Sequence, residues 1–182
     1  MRHLHAGDWL FFRLRPVNFP TARLAALCFL LPTLFGEESF RRIVGLFKDP
    51  RLSASVRRKE IQKFFVFEPD EFWRRHCHFA GSGAERGIAI GSERIDDFIV
   101  NVLIPFLLLY ARTFKDQTVR ASVIDLFERL PRLQENAITR LIERQLLKDR
   151  IRLHTALLQQ GAIQLYKYSC SQGRCGECGL AP

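Results

Sequence analysis

Ser92-Glu-Arg-Ile-Asp-Asp-Phe-Ile-Val-Asn-Val-Leu-Ile-Pro-Phe106 is the stretch whose reading decides the fold class. Ser92 is placed as an N-cap, with Glu93, Asp96 and Asp97 in the first turns, where acidic side chains complement the positive end of a helix. Ile95, Phe98, Ile99, Val102, Leu103 and Phe106 then recur at steps of three and four, the period of a helix and not of a strand. These six are expected to form its buried face. Pro105 donates no backbone hydrogen bond and is expected to kink it.

The same period extends outward in both directions. Upstream, Leu24, Leu27, Cys28, Leu31, Leu34 and Phe35 make one apolar stripe on a helix that Pro20 suits at its first turn and Gly36 ends. A second helix is read over 37–47, with Glu37 and Glu38 near its positive end and Asp49-Pro50 as its stop. A third covers about 55–65, with two Arg and two Lys on its outer side. Between 68 and 91 the pattern breaks. Pro69, Gly81, Gly83, Gly87 and Gly91 mark an irregular connection, mobile at Gly81-Ser82-Gly83, with room for a short helix at 70–79. Downstream, helices are expected over about 116–130 and 134–147, split by Pro131, and over 152–168. No strand pattern of useful length and no internal repeat occurs. The expectation is an all-α single domain over 1–182, an irregular bundle of about six or seven helices ending in a Cys-rich hook at 169–182.

The 182 residues suffice for a real core, and 47% hydrophobic with 26% charged residues argues against wholesale disorder. The 16 Phe point to a core built on large rings. A net charge of +9 draws nucleic acid, acidic lipid or acidic protein, although basic residues spread along helices are ordinarily solvated. The apolar run from Phe98 to Ala111 carries Asn101 and Pro105 and is shorter than the ~20 residues of a membrane span. No secretory apolar region precedes Arg13 and Arg15. A cytoplasmic protein without membrane contact is expected, and there thiols stay reduced.

That compartment favours a metal site at the tail, Cys170-Ser-Gln-Gly-Arg-Cys175-Gly-Glu-Cys178. Three thiols at C-x4-C-x2-C spacing, turned by Gly173 and Gly176, can converge on one ion. Zinc is usually closed by four Cys or His ligands, and Cys175-x2-Cys178 is a common half-site. The fourth ligand must come from upstream, from His76, Cys77 or His78 in Phe72-Trp-Arg-Arg-His-Cys-His-Phe79, with His154 a weaker choice. An iron–sulfur cluster ranks lower, because the ferredoxin spacing requires a further downstream Cys. Free thiols on a frayed terminus are the plain alternative. His76 and Cys77 could also form a catalytic pair, but adjacent side chains rarely face one point. Asp96-Asp97 more often serve the helix dipole than a metal. No glycine-rich phosphate loop, Ser-centred elbow or His-Glu-x-x-His is present, so the chain alone leans away from enzymes. Arg13/Arg15, Arg41-Arg42, Arg57-Arg58-Lys59 and Arg74-Arg75 could contact phosphates if they share a face.

Several segments together resemble a bacterial family, the uncharacterised domain of unknown function 2851. They are Arg15-Pro-Val-Asn-Phe-Pro-Thr-Ala-Arg-Leu24, Phe72-Trp-Arg-Arg-His76, Arg94 to Phe106, Pro131-Arg-Leu-Gln-Glu-Asn136 and the run from Gln160 through Leu165-Tyr166 to the tail cysteines. The resemblance implies that this chain corresponds to the C-terminal half of proteins about twice its length, as a truncated or split gene product. It implies a missing N-terminal half that is strand-rich and faintly similar to restriction-endonuclease-like nucleases. Pro69-Asp70 is followed by no Glu-x-Lys, so this chain is not itself that nuclease. The resemblance also favours His76 over Cys77 as the fourth ligand, since relatives often carry an aromatic at the latter position. The functional expectation is a helical accessory module with a structural zinc clasp, serving a nucleic-acid-processing protein. The alternative is a structural or protein-interaction domain without catalytic activity.

Overall fold

Caps written into the sequence set several helix starts. The carboxylate of Asp70 accepts from the backbone of Trp73, that of Asp116 from Val119, and the Asn136 amide oxygen from Thr139. At Asn136 the exchange is reciprocal, because the Thr139 hydroxyl accepts from the Asn136 N–H at 3.1 Å. Each such cap is worth roughly 1 kcal/mol.

The computed structural model describes residues 19–34, 36–79, 90–148 and 150–178. The helices in order are α1 (Pro20–Leu34), α2 (Glu37–Lys48), α3 (Ala54–Lys63), α4 (Glu71–Arg75), α5 (Ser92–Phe98), a π-helical segment (Ile99–Leu103), α6 (Ile104–Thr113), α7 (Gln117–Arg129), α8 (Ala137–Gln145) and α9 (Ala156–Tyr168). Among the described residues there is no strand, and one isolated bridge joins Pro131 to Thr155. The fold is all-α, as the periodicity predicts. The chain is cut into more pieces than six or seven because α4 is short and a π segment separates α5 from α6. Arg13, Arg15, Phe35 and the Gly81, Gly83 and Gly87 turns lie outside the described residues.

The chain divides into two compact units, residues 1–43 with 60–91 and residues 44–59 with 92–182. In the first, Ala22, Ala25 and Ala26 of α1 pack with the buried Cys77 and are flanked by Phe19, Phe29, Phe67, Trp73 and Ile90. The Phe29 and Phe67 rings stack at 5.6 Å, and the Thr21 hydroxyl donates to the Cys77 carbonyl at 2.6 Å. The apolar stripe read on α1 is therefore not the buried one. Leu24, Leu27 and Leu31 are 40–48% exposed. α1 is apolar on most sides, so periodicity cannot choose its inner face. The alanines allow closer approach and take it.

In the second unit α7 packs against α6 and α9, and α8 against α9. Val119, Val123, Leu126 and Leu130 are fully buried, with Ile99, Leu107, Ile142 and Ala156. Gln159, 2% exposed, accepts from the Leu133 N–H at 2.7 Å and donates to its carbonyl at 3.1 Å, replacing the partner a strand would supply. The expected face of the α5–α6 helix needs correction. Ile95, Ile99 and Leu103 are buried, but Val102 and Phe106 are half exposed and Phe98 is intermediate. The π winding, in which the Ile104 N–H reaches back five residues to the Ile99 carbonyl, inserts an extra residue. The inward positions shift to Val100, Ile104, Leu107 and Ala111. Pro105 then stands at the start of α6, directly after the π segment and within one unbroken helical run. Among the described residues no helix is long and apolar enough to cross a membrane.

Candidate functional site

The tail cysteines sit on two short 3-10 turns after α9. Cys170 opens the first, Cys175 opens the second and Cys178 follows it. Gly173 joins them at φ +65°, a left-handed geometry that suits glycine. Arg174 pairs with Glu177 across the second turn. Cys175 is exposed, Cys170 and Cys178 are intermediate, and all three thiols are free. Three soft thiolates are donor types that fit zinc. Their arrangement is open: among the described residues no group of three or more His, Cys, Asp or Glu side chains is placed to hold a metal ion.

His76 and Cys77 belong to the first unit. The imidazole of His76 stacks on Phe72 at 4.2 Å, with Nδ1 2.8 Å from the Phe72 carbonyl. With the proton on Nδ1, Nε2 carries the free lone pair. Cys77 is 3% exposed, and burial pushes its thiol above the ordinary value, the opposite of an activated nucleophile. His78 lies against the Phe19 ring at 5.6 Å. His154 is exposed, its Nδ1 3.2 Å from the Arg152 carbonyl.

The acidic pair after Ser92 is divided in role. Asp96 is buried and takes a two-point interaction from Arg58, at 2.8 and 2.6 Å, while Asp97 pairs with Arg94 within its own turn. Asp96 thus acts in tertiary packing, beyond the dipole role its position suggests.

The basic run on α3 is only partly a solvated face, with Lys59 exposed, Arg58 intermediate and Arg57 enclosed. Arg57 is 2% exposed. Its guanidinium donates to the carbonyls of Leu46 at 3.1 Å and Asp49 at 2.8 Å and to the Ser122 hydroxyl at 2.9 Å, with Asp125 3.6 Å away. Arg51, Arg57, Arg58, Ser122, Asp125 and Arg129 line a groove of about 960 Å³ in the second unit. Its arginines are already matched: Arg51 to Asp49, Arg57 and Arg129 to Asp125, and Arg58 to Asp96. The Asp49 carboxyl is pulled down to about 2, chiefly by the Arg51 side-chain hydrogen bond.

A second concavity, of about 430 Å³, is lined by Glu135, Arg140, Glu143, Arg144 and Arg152. Glu143 is 3% exposed and accepts from the Leu153 N–H at 2.8 Å and from two Arg132 nitrogens at 3.1 Å each. The Leu153 N–H, then Arg132, hold its carboxyl below the usual range against the opposing effect of burial. Sequence reading passed over this cluster, although a signal existed. Thr139, Ile142 and Glu143 share the inward face of α8, and a carboxylate there demands partners.

The fold and these sites define an all-α protein in which the buried charges of Arg57, Asp96 and Glu143 are each paired. The chain belongs to the family described as Protein of unknown function (DUF2851), whose match spans residues 1–136. The cysteine tail falls outside the matched span. No curated protein and no solved structure matches the chain.

Proposed function

We propose that this chain works by binding, as a helical module that docks on a protein partner through the outer face of the α5–α6 helix. The observation that carries this reading is the row Val102, Phe106 and Leu109, at spacings of four and three and 49–60% exposed. Phe114, just past α6, adds a ring that is 66% exposed. Burying such side chains yields about 25 cal/mol per Å² of apolar surface, and clustered aromatic and aliphatic anchors supply most of the energy of protein interfaces. A photo-crosslinking residue at Leu109 should give a discrete protein adduct, or a crosslinked dimer if the partner is a second copy. The same probe at exposed Arg120 should give none. Equal labelling from both positions, or none from Leu109, rejects the docking face.

The metal clasp belongs to the same module as a structural part. Its proposed ligands are Cys170, Cys175, Cys178 and His76, with Cys77 as the alternative fourth. Supporting it are the thiol donor set and the Nδ1 contact of His76, since a metal-bound imidazole ordinarily donates its other N–H to such an acceptor. Elemental analysis of protein purified without added metal should find one zinc per chain. Iron would point to a cluster, and neither metal would leave the thiols free. A nucleic-acid role, or a nuclease-like N-terminal half as partner, rests on the +9 charge and the family resemblance. It ranks second because the arginines of the larger groove are already committed to carboxylates.

A further inference from the structure

We propose that Arg140, Arg144 and Arg152 form a binding site for a phosphate dianion, either free or as the head of a small phosphomonoester. The argument starts from the charges around the 430 Å³ concavity. Its two carboxylates are already engaged. Glu143 is taken by Arg132 and the Leu153 N–H, and Glu135 by Arg132 and Arg140. Arg144 and Arg152 have no hydrogen-bond or ion-pair partner for their side chains among the described residues, and both are exposed. Arg140 reaches Glu135 only at 3.6 Å.

Three guanidiniums therefore border one space, and two of them have no close ion-pair partner among the described residues, Arg152 acting on Glu143 only at longer range. Arg140 and Arg144 stand four apart on α8, where like charges repel. The repulsion persists because the surroundings impose it. The Glu143 carboxylate pins Leu153 to α8, which fixes the neighbouring Arg152 beside the same helix face. A buried carboxylate whose hydrogen bonds go to Arg132 and the Leu153 N–H thus holds the other cations nearby while offsetting only part of their charge. A phosphate group with about two negative charges near pH 7 and three acceptor oxygens would complement this set, and arginine forks match its geometry. A monocarboxylate would leave one of the two charges unmatched. The volume is that of a small-ligand site.

The test is titration of the full chain with inorganic phosphate and, separately, glycerol phosphate, at constant ionic strength set by chloride. Protein NMR of the arginine side-chain Nε–H signals and ³¹P line widths report binding. Saturable binding is expected, with shifts centred on Arg144 and Arg152, and at least tenfold weaker in Arg144→Gln and in Arg152→Gln. Arg120→Gln, on α7, should bind as the parent does. Both test positions are exposed, so unchanged circular dichroism and urea midpoints should accompany the loss. Binding of inorganic phosphate alone identifies a free-anion site, and tighter binding of glycerol phosphate identifies a phosphomonoester site. Non-saturating shifts, or equal affinity in all four proteins, overturn the proposal.

Discussion

Replacing Glu143 by Ala should cost the second unit about 3 kcal/mol or more. The substitution strips Arg132 of its two-point partner and leaves the Leu153 N–H without an acceptor inside the protein. Breaking a buried pair by removing one member costs about 3–5 kcal/mol, because the remaining charge keeps its desolvation penalty. Arg132 retains Glu135, which places the expectation at the lower end of that range. At roughly 2–4 °C per kcal/mol for a chain of this length, the midpoint of thermal unfolding should fall by about 6–12 °C. A variant that melts within 2 °C of the parent would show that the Glu143 network is not structural. The pH dependence follows from the lowered carboxyl pKa. A carboxyl whose folded value lies below its unfolded value of about 4.3 contributes stability that is complete above that value and is lost as the pH falls through the folded one. The stability gap between the parent and Glu143→Gln, measured by urea unfolding, should be constant above pH 5 and shrink below pH 4.

Arg57→Met should be destabilising to a similar degree, about 3 kcal/mol, although Met keeps an unbranched apolar stem in place of the aliphatic part of the side chain. The guanidinium serves the carbonyls of Leu46 and Asp49 at the C-terminal end of α2, together with the Ser122 hydroxyl of α7. Carbonyls at a helix end lack partners within the helix, and each buried polar group left unsatisfied costs about 1–3 kcal/mol. Asp125 keeps Arg129, so its own loss is small. Arg57→Lys should recover only part of the stability, since a single ammonium cannot reproduce a fork that donates in several directions. Urea unfolding of the three proteins tests this. A Lys variant equal to the parent would mean that charge alone matters at this position, and a Met variant equal to the parent would remove the capping role.

The two positions also show where reading along the chain stopped short. In Arg57-Arg58-Lys59 three cations follow one another, and the pattern assigns them jointly to solvent. Only one is fully enclosed, and the reason lies outside α3, in the backbone carbonyls at 46 and 49 and a hydroxyl at 122. Val102 and Phe106 fail for a different reason. Their spacing fits an α-helix from Ser92 onward, but one π turn at 99–103 changes the phase. Asn101 accompanies that turn, its amide donating to the Asp97 carbonyl at 2.8 Å. On α1 a helix apolar on most sides gave periodicity nothing to select, and the small Ala side chains decided the close face. At the candidate sites the legible part was donor chemistry. The three thiols and their turns could be read directly, whereas the Arg144–Arg152 pair depends on how a loop is pinned by Glu143.

Local chemistry along the chain determined the all-α class and most helix limits. Pro20, Asp70, Asp116 and Asn136 act on backbone groups within three or four residues of themselves, and Asp49-Pro50 stops α2 by the same short-range sterics. Such effects need no knowledge of distant residues. Tertiary structure alone decided which faces are buried, which arginines are enclosed, and which are gathered around one concavity. A charge can enter the interior only when its partner is already positioned there. Those partners, Ser122 for Arg57, Arg58 for Asp96 and Leu153 for Glu143, stand 65, 38 and 10 residues away in the sequence.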